Sequence, residues 1–297
     1  MERKVTLGLL QMTCNLDIQS NIDKAIGYIE KAAGLGAQII CTQELFKSRY
    51  FCQVMDRNNF DLAEEASENN PTVKQLSDLA NKLNIVLVAG LFEKRANGIF
   101  HNTAIVIDAG GSLLGKYRKM HIPQDPGYTE KFYFTPGDLG YPVFKTRYAD
   151  IGVLICWDQW FPEAARLIAM NGAEIIFYPT AIGYSPPENE NNPTNSFQPW
   201  QTVQQGHAVA NACFVATVNR VGFEEDPSHG PGINFWGSSF VADPQGRLIY
   251  EASDEDDDIL ICEIDLSTID LIRNRESFPY RDRRVDSYQD LTKLYSS

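Results

Sequence analysis

Ile151-Gly-Val-Leu-Ile-Cys-Trp-Asp-Gln-Trp-Phe-Pro-Glu163 is the stretch on which the reading of this chain turns. The apolar run Ile151 to Ile155 predicts a buried strand. Trp160, Phe161 and Pro162 then open a helical pattern that continues through Arg166, Leu167 and Ile168. Cys156 falls at the elbow between the two. Such an elbow presents a side chain at the rim of a sheet, where free N–H groups can hold a developing oxyanion and lower a thiol pKa. Most free cysteines are simply small apolar core residues, so the position gains meaning only from its company.

Working outward, the same pattern occurs twice. Residues 4–11 read as a buried strand and residues 17–34 as an amphipathic helix, with Ile18, Ile22, Ile26, Ile29 and Ala33 on one face. Gly34 to Gly36 end that helix, and residues 37–41 read as the next strand. In the second half, residues 150–155 form a strand and 162–171 a helix. The strand Gly172-Ala-Glu-Ile-Ile-Phe177 follows, and Gly36-Ala-Gln-Ile-Ile40 resembles its opening. Two hairpins with an Asp-x-x-Gly turn repeat as well, at residues 102–114 and 237–249. These elements predict an α/β fold with an internal pseudo-twofold. Each half supplies a sheet covered outside by helices, and the two sheets pack face to face.

No linker interrupts the pattern, so residues 1–297 are read as a single domain. The tail 273–297 either packs against a partner subunit or runs as an extended arm. The Pro- and Asn-rich stretch 185–195 is either a surface insertion or a wall of the substrate pocket.

Composition narrows the function. The chain has 297 residues, 43% hydrophobic and 22% charged, which is ordinary globular usage. No apolar stretch approaches the roughly 18 residues of a membrane helix, and the first residues lack a signal-peptide pattern, so no membrane association and a cytoplasmic location are expected. A net charge of −13 disfavours nucleic acid as a partner. Six scattered cysteines argue against a disulfide framework, and four histidines without ligand spacing argue against a metal. The acidic run 253–258 reads as a solvated loop.

Three charged residues stand where a cysteine nucleophile needs help. Glu44 closes an apolar strand, taken as the equivalent strand end in the first half, where partial desolvation raises a carboxylate pKa toward that of a useful base. Lys119 follows the first hairpin and can balance a thiolate. Glu130, in Tyr128-Thr-Glu-Lys-Phe-Tyr-Phe134, can orient that lysine. No spacing rule links the four, and each charge alone would ordinarily be a surface ion pair.

Taken together, Gln43-Glu44-Leu45, Arg118-Lys119-Met-His-Ile-Pro123 and Ile155-Cys156-Trp157-Asp158 resemble the landmarks of the nitrilase superfamily of carbon–nitrogen hydrolases. The resemblance spans essentially the whole chain. It implies a four-layer α-β-β-α sandwich, Glu-Lys-Cys catalysis by Glu44, Lys119 and Cys156 without a cofactor or metal, and homo-oligomers built from dimers. It also implies that the Trp157 N–H serves the oxyanion, with His121 and Glu130 in support.

Residues 156–166, 179–183 and 121–127 are similar to the branch of that superfamily that hydrolyses small carbamoyl amines, which makes such an amine the expected partner. Relatives that act on carbamoyl amino acids tend to place arginine or histidine just after the cysteine. Here Gln159 and Trp160 stand there, and neither pairs with a carboxylate as a cation would. Asp125, Glu188 and Glu190 are candidates for holding a distal ammonium. Rival readings are an ω-amidase, a β-ureidopropionase or a nitrilase with the same machinery, or a non-catalytic binding module.

Overall fold

The structure, a computed structural model, describes residues 2–184, 195–274 and 280–295. The first half runs β1 (Lys4–Gln11), α1 (Ile18–Gly34), β2 (Ile39–Thr42), α2 (Pro71–Leu83), β3 (Val86–Ala96), β4 (Ile99–Ile107) and β5 (Leu113–Arg118). The second begins with β6 (Val143–Lys145), β7 (Asp150–Val153), α3 (Pro162–Met170), β8 (Ile175–Pro179) and β9 (Gly183–Tyr184). It continues through α4 (Phe197–Asn211), β10 (Phe214–Val218), β11 (Val221–Glu224), β12 (Ile233–Trp236) and β13 (Phe240–Ala242). The hairpin partner β14 (Leu248–Glu251), the returning strand β15 (Asp258–Asp265) and α5 (Ser267–Arg273) complete the elements.

Two six-stranded sheets result, ordered β15-β1-β2-β3-β4-β5 and β14-β13-β10-β8-β7-β6. In the first, β1, β2 and β3 are parallel and β4 and β5 antiparallel. The second repeats this, with β7, β8 and β10 parallel and β13 and β14 antiparallel. The pseudo-twofold is therefore explicit in the pairing.

Strand alternation divides the core into layers. Leu7, Leu9, Val86 and Val88 face inward and meet Ile151, Val153, Ile175 and Phe177 of the other sheet. Their neighbours Ile40, Leu87, Ala89 and Ile105 face outward onto Ala25, Ile29, Val73 and Leu76 of α1 and α2. Ala164, Ala165 and Ile168 of α3 cover the second sheet. The order of layers is α-β-β-α.

Two sequence expectations shift in detail. The buried stripe of α1 runs through Ile22, Ala25, Ile29 and Ala32, while Ile18, Ile26 and Ala33 are only half-buried. The stripe is rotated because Asn21 is also buried, accepting from the Asn15 N–H and donating to the Lys47 carbonyl. The second difference concerns equivalence between the halves. Gly8 pairs with Ile40 and Gly152 with Ile176, so β7 corresponds to β1 and not to β2. A Cβ on Gly8 would press on Ala32 and Ala37, and one on Gly152 on Ile168, each glycine admitting a helix close to its strand. The matching register makes Met12 the counterpart of Cys156, and Thr180 the counterpart of Glu44. The strand ends of Glu44 and Cys156 are neighbours in space and not copies of one another.

Candidate active site

Cys156 lies beyond β7, at the start of a single 3-10 turn, Cys156–Trp160, that leads into α3. Its φ of +44° is a left-handed conformation that a non-glycine residue holds only when its surroundings fix it. Asp158 does that fixing. Its buried carboxylate accepts the Ile155 N–H at 2.9 Å, the Tyr117 hydroxyl at 2.8 Å and the His121 N–H at 3.0 Å. His121 Nδ1 lies 2.7 Å from the same group, with its ring stacked 3.6 Å from Phe161. Trp157 is the second residue of the turn, so its N–H belongs to the donors that a first turn cannot satisfy internally.

Glu44 follows β2, and its backbone runs hard against β3. A Cβ on Gly90 would lie 2.9 Å from the Leu45 nitrogen, so only glycine allows the approach. Asn102 of β4 fixes the neighbours twice. Its carbonyl accepts the Lys119 N–H at 2.9 Å, and its side-chain amide donates to Glu44 Oε1 at 2.6 Å. Lys119 Nζ then lies 2.8 Å from Glu44 Oε1 and 2.9 and 2.7 Å from the two oxygens of Glu130. Tyr50 completes the set, its hydroxyl donating to Glu130 Oε1 at 2.7 Å. Glu44, Lys119 and Glu130 are wholly buried.

Burial and charge set the protonation states. Desolvation pushes Glu44 up to about 7, with Lys119 opposing and Glu130 adding to the rise. The Cys156 thiol is pushed well above its ordinary range, by burial first and Glu44 second, although Lys119 pulls it down. The sequence reading expected a lowered thiol pKa. Burial, with the Glu44 and Glu130 carboxylates adding to it, outweighs the Lys119 ammonium, so the resting thiol is neutral. Of the Glu44 oxygens, Oε1 is held by Asn102 and Lys119, whereas Oε2 is buried with no hydrogen-bond partner among the described residues. That oxygen is the one free to take a proton.

Other predicted residues fall as follows. Gln159 is buried, with its Oε1 accepting from Trp200 Nε1 at 2.9 Å and its carbonyl 2.8 Å from His207 Nε2. Its Oε1 is committed to α4, while its Nε2 is buried with no hydrogen-bond partner among the described residues. Trp160 is half-buried and packs edge-on to Trp157 at 6.3 Å. Asp125 is exposed in a tight turn with Tyr128. Glu188 and Glu190 lie outside the described residues. Asn102 and Tyr50 escaped the sequence reading because their partners lie far along the chain. Asp158, three residues from Ile155, instead carried the local signal of an acidic residue capping the turn.

The carbon-nitrogen hydrolase family model matches residues 6–274. The chain belongs to the carbon-nitrogen hydrolase family. It is 45% identical over 296 residues to an N-carbamoylputrescine amidase of Arabidopsis thaliana, covering 98% of this chain and 96% of that protein. A citrullinase of Francisella tularensis is 42% identical over 293 residues, covering 98% of this chain and 99% of the relative. The crystal structure of a carbon-nitrogen hydrolase from Helicobacter pylori G27 superposes with a TM-score of 0.93 at 43% identity, covering 99% of this chain and all of that one. The chain is thus a carbon–nitrogen hydrolase with the nitrilase fold, an amidohydrolase. Among the described residues no helix is long and apolar enough to cross a membrane.

Proposed function

We propose that the chain hydrolyses the ureido C–N bond of N-carbamoylputrescine to putrescine, carbon dioxide and ammonia. The observation that carries the reading is the free Oε2 of Glu44, on a carboxylate poised near neutrality beside a neutral buried thiol. In this reading Glu44 takes the Cys156 proton as sulfur attacks the carbamoyl carbon. Lys119 and the Trp157 N–H hold the tetrahedral oxyanion. Glu44 returns the proton to ammonia as the C–N bond breaks, leaving a carbamoyl group on sulfur. Water, deprotonated by Glu44, then displaces the sulfur, which recovers its proton. The carbamate released decomposes to carbon dioxide and the diamine.

The identity to N-carbamoylputrescine amidases supports the substrate. The citrullinase relative supports a second reading, a ureido amino acid such as citrulline, which carries the same reacting group on an amino-acid head. Ammonia release across N-carbamoylputrescine, citrulline, N-carbamoyl-β-alanine, simple amides and nitriles decides between them. The first reading expects N-carbamoylputrescine to lead N-carbamoyl-β-alanine in kcat/KM by at least about tenfold, or about 1.4 kcal/mol. Preference for citrulline would replace the diamine, and preference for a simple amide or nitrile would end the ureido assignment.

The cytoplasmic location and self-association belong to the same proposal. All six cysteines are free, which supports a reducing compartment. Leu271, Leu291, Leu294 and Tyr295 are exposed near the C-terminal end, which supports burial there against a second copy.

A further inference from the structure

We infer that the buried pair Arg220 and Glu224 positions the general base, by clamping the backbone segment that runs from Glu44 to Tyr50. Arg220 sits between β10 and β11 in the second half of the chain, wholly buried, and reaches across to the first half. Its Nη2 donates to the carbonyls of Glu44 and Leu45, both at 3.1 Å, and its Nη1 to the Ser48 carbonyl at 2.9 Å. Glu224 accepts from Arg220 Nη1 at 2.7 Å and from the Tyr50 N–H at 2.6 Å. The two side chains therefore hold both ends of one short segment. Glu44 leaves from its start, and from its end Tyr50 sends a hydroxyl to Glu130.

The segment needs holding. Leu45 has a φ of +51°, a left-handed conformation that costs a leucine energy wherever the surroundings do not enforce it. Gly90, lacking a Cβ, lets the Leu45 nitrogen approach β3 closely, and the Arg220 fork holds the carbonyls of Glu44 and Leu45. A guanidinium suits this work because its planar fork offers several donors in fixed directions, which an ammonium does not. Removing the fork frees the backbone to relax at Leu45, and that rotation carries the Glu44 carboxylate off line. The inference rests on Glu44 acting as base toward Cys156, and so on the function proposed above.

Arg220→Lys keeps the charge and loses the fork. Cys156 is labelled with iodoacetamide to count competent sites, and kcat, KM and the labelling rate are measured per labelled site. The expected result is a fall in kcat on the order of 10²-fold, slower labelling, and KM within about threefold. A purely structural role predicts fewer labelled sites with unchanged kcat and labelling rate per site, and that outcome overturns the inference. Should Arg220→Lys fail to fold, the isosteric Glu224→Gln decides by the same measurements, with the same two outcomes. The labelling rate needs no substrate. A wild type that labels at Cys156 but turns over nothing in the panel defeats the proposed function and leaves the clamp to be judged by labelling.

Discussion

Lys119 Nζ donates to Glu44 Oε1 at 2.8 Å, and neither side chain touches solvent. The same ammonium meets Glu130 at 2.7 Å, so one buried cation serves two buried anions. The trio carries an uncompensated negative charge, and the protonation of Glu44 relieves it.

Removing that cation leaves both carboxylates unpaired in the interior. Lys119→Ala is expected to abolish turnover and to lower stability by about 3–5 kcal/mol at neutral pH, read in urea unfolding. The loss should shrink as pH falls and Glu44 protonates. A variant as stable as wild type near neutrality would contradict the burial described here.

Glu44 predicts opposite pH trends for stability and activity. It is pushed up to about 7 in the folded chain, from an ordinary 4.5. Between those values the native state holds a proton that the unfolded chain has released. The stabilisation from this group is therefore full at low pH and is lost as pH rises from about 4.5 to 7. Glu44→Gln should exceed wild type in stability at about pH 8, on the order of 1 kcal/mol. In wild type, kcat/KM should rise with pH through about 7 as the base ionises. A flat profile there would remove Glu44 as base.

Cys156→Ala and Cys156→Ser are expected to abolish turnover without unfolding the chain. The alanine contributes no nucleophile, and the serine hydroxyl is far less ionised than a thiol. Intact-mass analysis of wild type during turnover should show a transient adduct on Cys156, gone in both variants. Substantial turnover by Cys156→Ala would exclude the mechanism.

Tyr50→Phe deletes one hydroxyl and leaves the ring in place. It should lower kcat about tenfold, with KM within about threefold, as Glu130 loses its donor at 2.7 Å and Lys119 loosens. Thermal melting should fall by only a few degrees. A wild-type kcat would show that Glu130 needs no help from Tyr50.

Gln159→Arg tests a position that the sequence reading aimed at the substrate. The side chain is buried and bonded to Trp200, so an arginine there would overfill the contact with α4. Loss of stability by about 1–3 kcal/mol is expected, with weaker activity on every ureido substrate. A stable variant that gains activity on carbamoyl amino acids would instead place Gln159 against the substrate.

Legibility followed the range of the interactions. Strand and helix periods announced β1, α1, β7 and α3 to within a residue or two, because alternation and amphipathicity are local. Glu44, Lys119, Glu130 and Cys156 were visible as residue types at strand ends and in motifs. Their meeting was not, since it depends on strand order within the first sheet, which joins Glu44 and Lys119 through Asn102, and on the second sheet packing against it to bring Cys156. Asn102 looked like an ordinary strand residue, yet it holds both Glu44 and Lys119. Arg220 carried no signal in the sequence, yet it is wholly buried. The thiol pKa was misjudged because the elbow argued for local donors, while burial and the neighbouring carboxylates are tertiary effects.

The correspondence of β7 with β1 has a further consequence. Cys156 rides on one sheet and Glu44 on the other, so the apolar layer of Leu9, Cys41, Val88, Val153 and Phe177 is the spacer that sets their separation. Interiors of this density deform little, which makes that spacer a stiff gauge. Trimming or enlarging one of its side chains alters the reach between sulfur and carboxylate as well as the cohesion of the fold. Residues far from any substrate thereby become tuning points for proton transfer, and natural drift in this core is constrained by reactivity as much as by folding.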